Sequence, residues 1–141
     1  MKTSKPILLL EDDIIDIKTI QRTFKENNIK NRLEICNNGE EALSHLRDVN
    51  KELPCLILLD LNMPRMNGLE FLSIIKKDVD YKKIPVVILT TSQDHYDKSK
   101  SFELGVAGYM VKTVNYDDFS NIIKNINRYW TRSEFPDIVN S

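Results

Sequence analysis

The stretch CLILLDLNMPRMNG, residues 55–68, begins like a buried strand and ends like an open loop. An apolar run over residues 55–59 meets the carboxylate of Asp60, and Pro64 and Gly68 then interrupt the regular structure. A charged group at the end of a buried strand costs free energy unless a partner neutralises it. The stretch therefore predicts a strand covered on both faces, with a functional carboxylate at its end.

Apolar segments of strand length alternate along the chain with segments that have the period of a helix. Several of the apolar segments are almost continuously apolar, which is typical of parallel strands covered by helices on both faces. The sequence therefore predicts an α/β fold, a doubly wound five-stranded parallel sheet with helices on both faces. The predicted strands are residues 6–11, 32–37, 55–60, 84–90 and 106–112.

Most of the predicted helices carry an apolar stripe that would pack on this sheet. The first covers residues 14–28, the second follows its cap Asn38, the third follows Gly68 and extends to Val79, and the last follows its cap Asn115. The stripe predicted for the first helix comprises Ile14, Ile17, Ile20 or Gln21, and Phe24.

The fourth predicted helix differs from the others. Within residues 92–105, only Tyr96, Phe102 and Leu104 are bulky and apolar, and they do not form a clean stripe. We therefore expect this helix to be held weakly against the sheet.

The charge balance argues against several classes of partner. Among 141 residues, 20 are basic and 21 are acidic, with a formal net charge of -1. Bulk charge therefore favours neither nucleic acid nor an anionic membrane. No stretch approaches the roughly 20 apolar residues that span a bilayer, and the apolar run after Pro6 is too short for a signal peptide. We expect a cytoplasmic protein with no nucleic acid partner and no membrane partner.

The length suits one domain. We expect that domain to cover residues 5–131, with residues 132–141 as a C-terminal tail and no output domain. The cysteines Cys36 and Cys55 lack the CxxC spacing of metal or redox sites. They are predicted to be buried, reduced thiols.

Polar side chains that suit phosphoryl chemistry stand at the ends of four predicted strands. Glu11 and Asp12 end the first strand, Asp60 the third, Thr90 the fourth and Lys112 the fifth. Because parallel strands deliver their carboxyl ends to one edge of the sheet, these groups should share one pocket. Clustered carboxylates repel unless a cation neutralises them, and oxygen ligands favour a hard ion such as Mg²⁺. A hydroxyl and a lysine suit the remaining oxygens of a phosphoryl group, and a carboxylate can be the nucleophile.

Four motifs resemble the receiver domain of two-component response regulators. They are EDD at 11–13, LLDLNMPRMNG at 58–68, VVILTTS at 86–92 and GYMVK at 108–112. The resemblance covers about residues 5–130. It implies a flavodoxin-like fold with strand order 2-1-3-4-5.

The resemblance also implies a Mg²⁺-dependent phosphoacceptor site. Asp60 matches the phosphoacceptor, and Glu11, Asp12 and the backbone carbonyl of Asn62 match groups that hold the metal with it. Glu11 stands where the family more often has aspartate, a departure that we expect to affect metal affinity rather than the reaction type.

Four further residues match positions that bind or respond to the phosphoryl group. Thr90 and Lys112 match residues that contact its oxygens, and Tyr109 matches an aromatic residue that turns inward with Thr90 on phosphorylation. Ser92, like Asn62, matches a position that tunes hydrolysis. Thr113 departs from the family, which usually has a proline there after a cis bond.

Within the family, the chain most resembles the stand-alone regulators that accompany bacteriophytochromes and related histidine kinases. This likeness is carried by LLLEDD, IPVVILTTS and YWTRSEFP. It implies that a histidine kinase or phosphotransfer protein is the partner, and that a homodimer forms through helix 4, strand 5 and helix 5. Phosphorylation would then switch the protein contacts of that face.

The same residues allow other interpretations. EDD alone could be the acidic first turn of a helix, which suits Asp13 best, and Tyr109 could be only an aromatic residue on an edge strand. A phosphohydrolase would need a general acid two residues after the nucleophile, where Asn62 stands. A pseudo-receiver would lack an acid, the hydroxyl or the lysine. We therefore expect a signalling switch rather than an enzyme.

Overall fold

The computed structural model describes residues 5–112 and 115–132, which form one parallel sheet flanked by helices. The strand order is β2-β1-β3-β4-β5, which confirms the predicted doubly wound topology. The strands are β1 Ile7–Leu10, β2 Leu33–Cys36, β3 Leu56–Leu59, β4 Val86–Thr90 and β5 Gly108–Val111. The helices are α1 Ile14–Glu26, α2 Gly39–Arg47, α3 Gly68–Ile75, α4 His95–Glu103 and α5 Tyr116–Arg132.

Two apolar cores lie on opposite faces of the sheet, because successive strand residues point to opposite sides. On one face, Ile7, Leu9 and Leu58 pack with apolar residues of α1 and α5. On the other face, Leu8 and Leu59 pack with apolar residues of α2 and α3. The buried face of α3 includes Phe71, Leu72 and Ile75. Both faces of the central strands are therefore dry, as their continuous apolar sequence predicts.

The strand register brings the predicted site residues to one edge. Leu10 of β1 lies opposite Leu59 of β3, so the next residues, Glu11 and Asp60, leave the sheet side by side. The backbone N–H of Asp60 donates to the carbonyl of Leu10 at 3.0 Å and extends the ladder by one step. The sheet therefore fixes where the two carboxylates begin.

Helix starts agree with the predicted caps. The Asn38 side chain accepts from Glu41 N–H at the start of α2, and Asn115 accepts from Asp118 N–H at the start of α5. Asp13 is the cap of α1 and accepts from the backbone N–H of Ile15 and Asp16. The interpretation of Asp13 as a helix-start residue is confirmed.

Two predicted stripes were wrong at one end. Ile14 is 59% exposed and Val79 is 66% exposed. α1 begins three residues after β1, so its first turn lies at the edge of the sheet rather than over its face. α3 ends at Ile75, and the side chain of Asp78 then accepts from the N–H of Asp80 and Tyr81, which favours a turn over further helix.

The structure also agrees with the predictions for the fourth helix and for the two cysteines. All nine residues of α4 are described, and of these only Ser101 is buried, as expected for a helix without an apolar stripe. Cys36 and Cys55 are free and buried. Among the residues that the structure describes, no helix combines the length and apolar character needed to cross a membrane.

Candidate functional site

Asp60 is the first residue after β3, and its nearly buried side chain meets Lys112 in a cluster of polar side chains, called the pocket below. Asn62 N–H donates to Oδ1 at 3.3 Å, and the Lys112 ammonium donates to Oδ2 at 3.2 Å. The carboxylate is thus held from two directions at the end of a buried strand. Asn62 itself is exposed, and its N–H orients the predicted phosphoacceptor.

The loop after Asp60 folds back on the strand end because Gly68 has no side chain. A Cβ at Gly68 would lie 2.5 Å from the carbonyl oxygen of Asp60 and 2.7 Å from Leu61 Cα. Both atoms are backbone, so neither can move aside cheaply. Asn67 and Glu70 then form a capping box that starts α3. These contacts fix the path of the loop beside Asp60.

Two acids of the β1–α1 connection complete an acidic cluster with Asp60. Glu11 is only 1% exposed, whereas Asp12 is exposed to solvent. Each of the three carboxylates offers an oxygen within 4.8 Å of the others, so these residues could share one metal ion. Burial raises the pKa of Glu11, Lys112 lowers it and the charge of Asp60 raises it, and the net result is a pKa of about 7.

Lys112 follows β5 and enters the same pocket. Its side chain is 6% exposed, and Nζ donates to Glu11 at 2.5 Å, Asp16 at 2.8 Å and Asp60 at 3.2 Å. Burial lowers its pKa, but the hydrogen bonds to Asp16 and Glu11 outweigh that effect and raise the pKa of Lys112 above its ordinary value. The pocket therefore holds a permanent cation among its carboxylates.

Asp16 is a site residue that the sequence reading missed. It lies in the first turn of α1, and its carboxylate contacts a lysine 96 positions away. No local pattern marks Asp16, because its partner Lys112 follows β5, far away in the sequence.

Thr90 and Tyr109 lie on the other side of the pocket and are linked through Ser92. Thr90 ends β4 and is fully buried, and its Oγ1 accepts from Ser92 N–H at 3.3 Å. The Tyr109 hydroxyl donates to the carbonyl oxygen of Ser92 at 2.9 Å. The Ser92 hydroxyl donates to Asp97 in α4 at 2.7 Å. The chain Thr90–Ser92–Tyr109 therefore joins the pocket to α4, and the coupled movement of Thr90 and Tyr109 stays a prediction.

The structure brings together the predicted acids Glu11, Asp12 and Asp60 with Lys112, and it places Thr90 at the end of the neighbouring strand β4. Thr113 and its bond to Lys112 lie outside the described residues. The same is true of most of the predicted C-terminal tail.

Comparison with known proteins decides the family. The model of the response regulator receiver domain matches residues 7–124 of the chain. The chain belongs to this receiver domain family. A phosphoacceptor role is general in the family, and receiver domains pair with histidine kinases in signalling.

Individual relatives match this receiver over most of their length. The response regulator Rcp1 of Synechocystis sp. is 39% identical over 130 residues, which are 89% of this chain and 88% of that protein. The crystal structure of the phosphorylated cyanobacterial phytochrome response regulator RcpA superposes with a TM-score of 0.89 at 36% identity, covering 95% of this chain and 99% of that chain. The crystal structure of the Mn²⁺-bound form of Rcp1 superposes with a TM-score of 0.87 at 38% identity, covering 94% of this chain and 99% of that chain.

The donor set of this receiver suits a divalent cation. Glu11, Asp12 and Asp60 supply hard oxygen ligands at one point, and buried like charges there need neutralising. One relative is Mn²⁺-bound in its crystal structure. The acidic residues therefore form a fitting site for a divalent metal, and the site is part of a signalling domain.

Proposed function

We propose that Asp60 accepts a phosphoryl group from the phosphohistidine of a partner histidine kinase or phosphotransfer protein. A carboxylate oxygen of Asp60 attacks phosphorus, the new P–O bond forms, and the P–N bond to the imidazole breaks. The electron pair of that bond stays on the leaving imidazole nitrogen. One observation carries the proposal: Asp60 lies at the end of β3 with Lys112 Nζ 3.2 Å from its carboxylate.

The hydrogen-bond donors around Asp60 have two proposed tasks, to orient its carboxylate and to neutralise the charge of the phosphoryl group. Asn62 N–H, 3.3 Å from Oδ1, orients Asp60 for attack. Lys112 and the hydroxyl of Thr90 are assigned to the phosphoryl oxygens, because such transfer depends on positioning and charge neutralisation. A permanently protonated ammonium suits that task better than a group that titrates near neutral pH.

Mg²⁺ is the metal proposed for this site. Glu11, Asp12 and Asp60, with the backbone carbonyl of Asn62, would hold it, and the bound ion would offset the negative charge of the incoming phosphoryl group. Carboxylate oxygens of Glu11, Asp12 and Asp60 lie together in the structure, and the role of the Asn62 carbonyl is implied by the family resemblance. Asn62 and Ser92 are proposed to tune the hydrolysis that returns Asp60 to its free form.

The output is proposed to be a change in protein contacts on the face formed by α4, β5 and α5. Thr90 would turn toward the phosphoryl group, and Tyr109 would follow through Ser92. α4 exposes Tyr96 and Phe102, and contact with a second copy of this chain would cover them. The receiver would occupy residues 5–131, and the likeness to RcpA supports a phytochrome-type histidine kinase as the donor.

The test is the intact mass of the protein after incubation with acetyl phosphate, with and without Mg²⁺. We expect wild type to gain one phosphoryl group only when Mg²⁺ is present, and Asp60→Asn to gain none. Asp13→Asn is the matched control, because it removes a neighbouring carboxylate and keeps a good helix cap. Uptake by Asp60→Asn equal to that of wild type would contradict the assignment of the phosphoacceptor.

A further inference from the structure

The Lys112 ammonium has three N–H donors, and each one meets a carboxylate of the described chain. Two of these acceptors, Glu11 and Asp60, have other tasks in the proposed reaction. The third, Asp16, stands outside the group of acids that could share a metal ion and is not the phosphoacceptor. Its contact with Nζ, at 2.8 Å, is shorter than the contact of Asp60.

Asp16 can hold the lysine without being buried itself. Its side chain is partly exposed, and it faces a cavity of about 290 Å³ whose lining includes Thr19, Thr91 and Tyr116. The outer side of the carboxylate faces this cavity, while Oδ2 accepts from Nζ. A charge-assisted hydrogen bond of this length is a strong one.

The two inner contacts of Lys112 are the ones that phosphorylation would weaken. An oxygen of Asp60 bonded to phosphorus would be a poorer acceptor, and Glu11 would be a ligand of the proposed metal. Because Lys112 has a flexible four-carbon stem, a fixed anchor would limit the positions from which its ammonium meets the phosphoryl oxygens. Asp16 is the contact that can persist through the reaction.

We propose that Asp16 is a positioning residue that anchors the Lys112 ammonium beside Asp60 while the phosphoryl group is bound. This inference rests on the proposed function. The competing explanation is that Asp16 only adds favourable charge to the first turn of α1. Asp13→Asn distinguishes the two explanations, because Asp13 is an acid of the same helix start whose side chain accepts from the backbone N–H groups of Ile15 and Asp16.

The first test is the affinity for fluoroberyllate, a phosphoryl analogue, at saturating Mg²⁺. We expect Asp16→Ala to weaken binding about tenfold, Asp16→Asn about threefold because it keeps a neutral acceptor, and Asp13→Asn less than about twofold. In a Lys112→Gln background, Asp16→Ala should have no further effect, because a residue that acts through Lys112 is silent without it.

The second test does not depend on phosphoryl chemistry. In protein labelled with ¹⁵N-lysine, we expect a slowly exchanging Nζ resonance from Lys112 in wild type and in Asp13→Asn. Asp16→Ala should broaden or shift that resonance, since one of its three acceptors is gone. Circular dichroism checks folding, and Asp16→Asn carries both tests if Asp16→Ala does not fold.

The outcomes separate the two proposals. If wild type binds no fluoroberyllate, the proposed function fails, and the role of Asp16 in it fails too. If wild type binds but Asp16→Ala binds equally well, the inference alone is overturned. It is also overturned if Asp13→Asn weakens binding as much as Asp16→Asn, or if the effect of Asp16→Ala persists in the Lys112→Gln background.

Discussion

The two sides of the pocket are built differently. On the side of Asp60, all four residues of β3 are buried, and α3 adds fully buried side chains. On the side of Tyr109, all four residues of β5 are only half-buried, and α4 buries Ser101 alone among its described residues. Asp60 thus stands on tightly packed structure, and Tyr109 stands on loosely packed structure.

This difference suits a switch. A dry, close-packed floor holds a nucleophile in one place, because any movement there would open cavities. A helix with few buried contacts opens at low free energy and can have two arrangements whose balance a new charge shifts. In this protein, the rigid packing lies on the Asp60 side of the pocket, and the structure that can change its arrangement lies on the Tyr109 side.

Truncating one phenylalanine on each side should give the largest difference. Phe71 of α3 is 0% exposed and Phe102 of α4 is 53% exposed. We expect Phe71→Ala to lower the free energy of unfolding by about 3–5 kcal/mol, and Phe102→Ala by less than about 0.5 kcal/mol. Urea unfolding followed by circular dichroism measures both. Equal losses of unfolding free energy would contradict the difference between the two sides, because α4 would then be packed as firmly as α3.

The buried carboxylate on the Asp60 side predicts a pH dependence in metal-free protein. The pKa of Glu11 is raised from 4.5 to about 7 in the folded state, so between these pH values the folded protein binds more protons than the unfolded chain. Protonation of Glu11 therefore adds to the free energy of unfolding. This contribution is fully present below pH 4.5 and is lost as the pH rises through 7. Relative to Glu11→Gln, wild type should lose roughly 2 kcal/mol between pH 5 and pH 8.

Urea unfolding with a chelator at the two pH values provides the measurement for Glu11. The Gln variant is the control, since it keeps the size of the side chain and removes its titration. Parallel pH profiles for wild type and Glu11→Gln would show that Lys112 already keeps the Glu11 carboxylate ionised, and would contradict the expected raised pKa.

A smaller effect than that of the Glu11 titration is expected for Tyr109→Phe. The variant removes the hydroxyl that donates to Ser92 and leaves the ring against Phe102 and Lys98. We expect a loss of about 1 kcal/mol, with faster hydrogen exchange confined to α4 and the loop before it. Loss of amide protection across β3 as well would show that the two sides of the pocket unfold together.

Much of the fold was predictable because its signals are local. Continuous apolar strands such as β3 and clear caps such as Asn38 and Asn115 were read correctly from neighbouring residues. The predictions of burial were wrong where residues distant in the sequence decide whether a side chain is covered. Ile14 and Val79 fit the helix period, but the position of the sheet edge and the turn at Asp78 leave them exposed.

The candidate site divides in the same way. The sequence by itself determined which chemical groups stand at the strand ends, because each of them directly follows or ends an apolar run. Only the tertiary structure decided that Lys112 is shared among Glu11, Asp16 and Asp60 and that Gly68 presses on the backbone of Asp60. Those contacts depend on strand register and helix placement, which bring residues up to 101 positions apart within hydrogen-bonding distance.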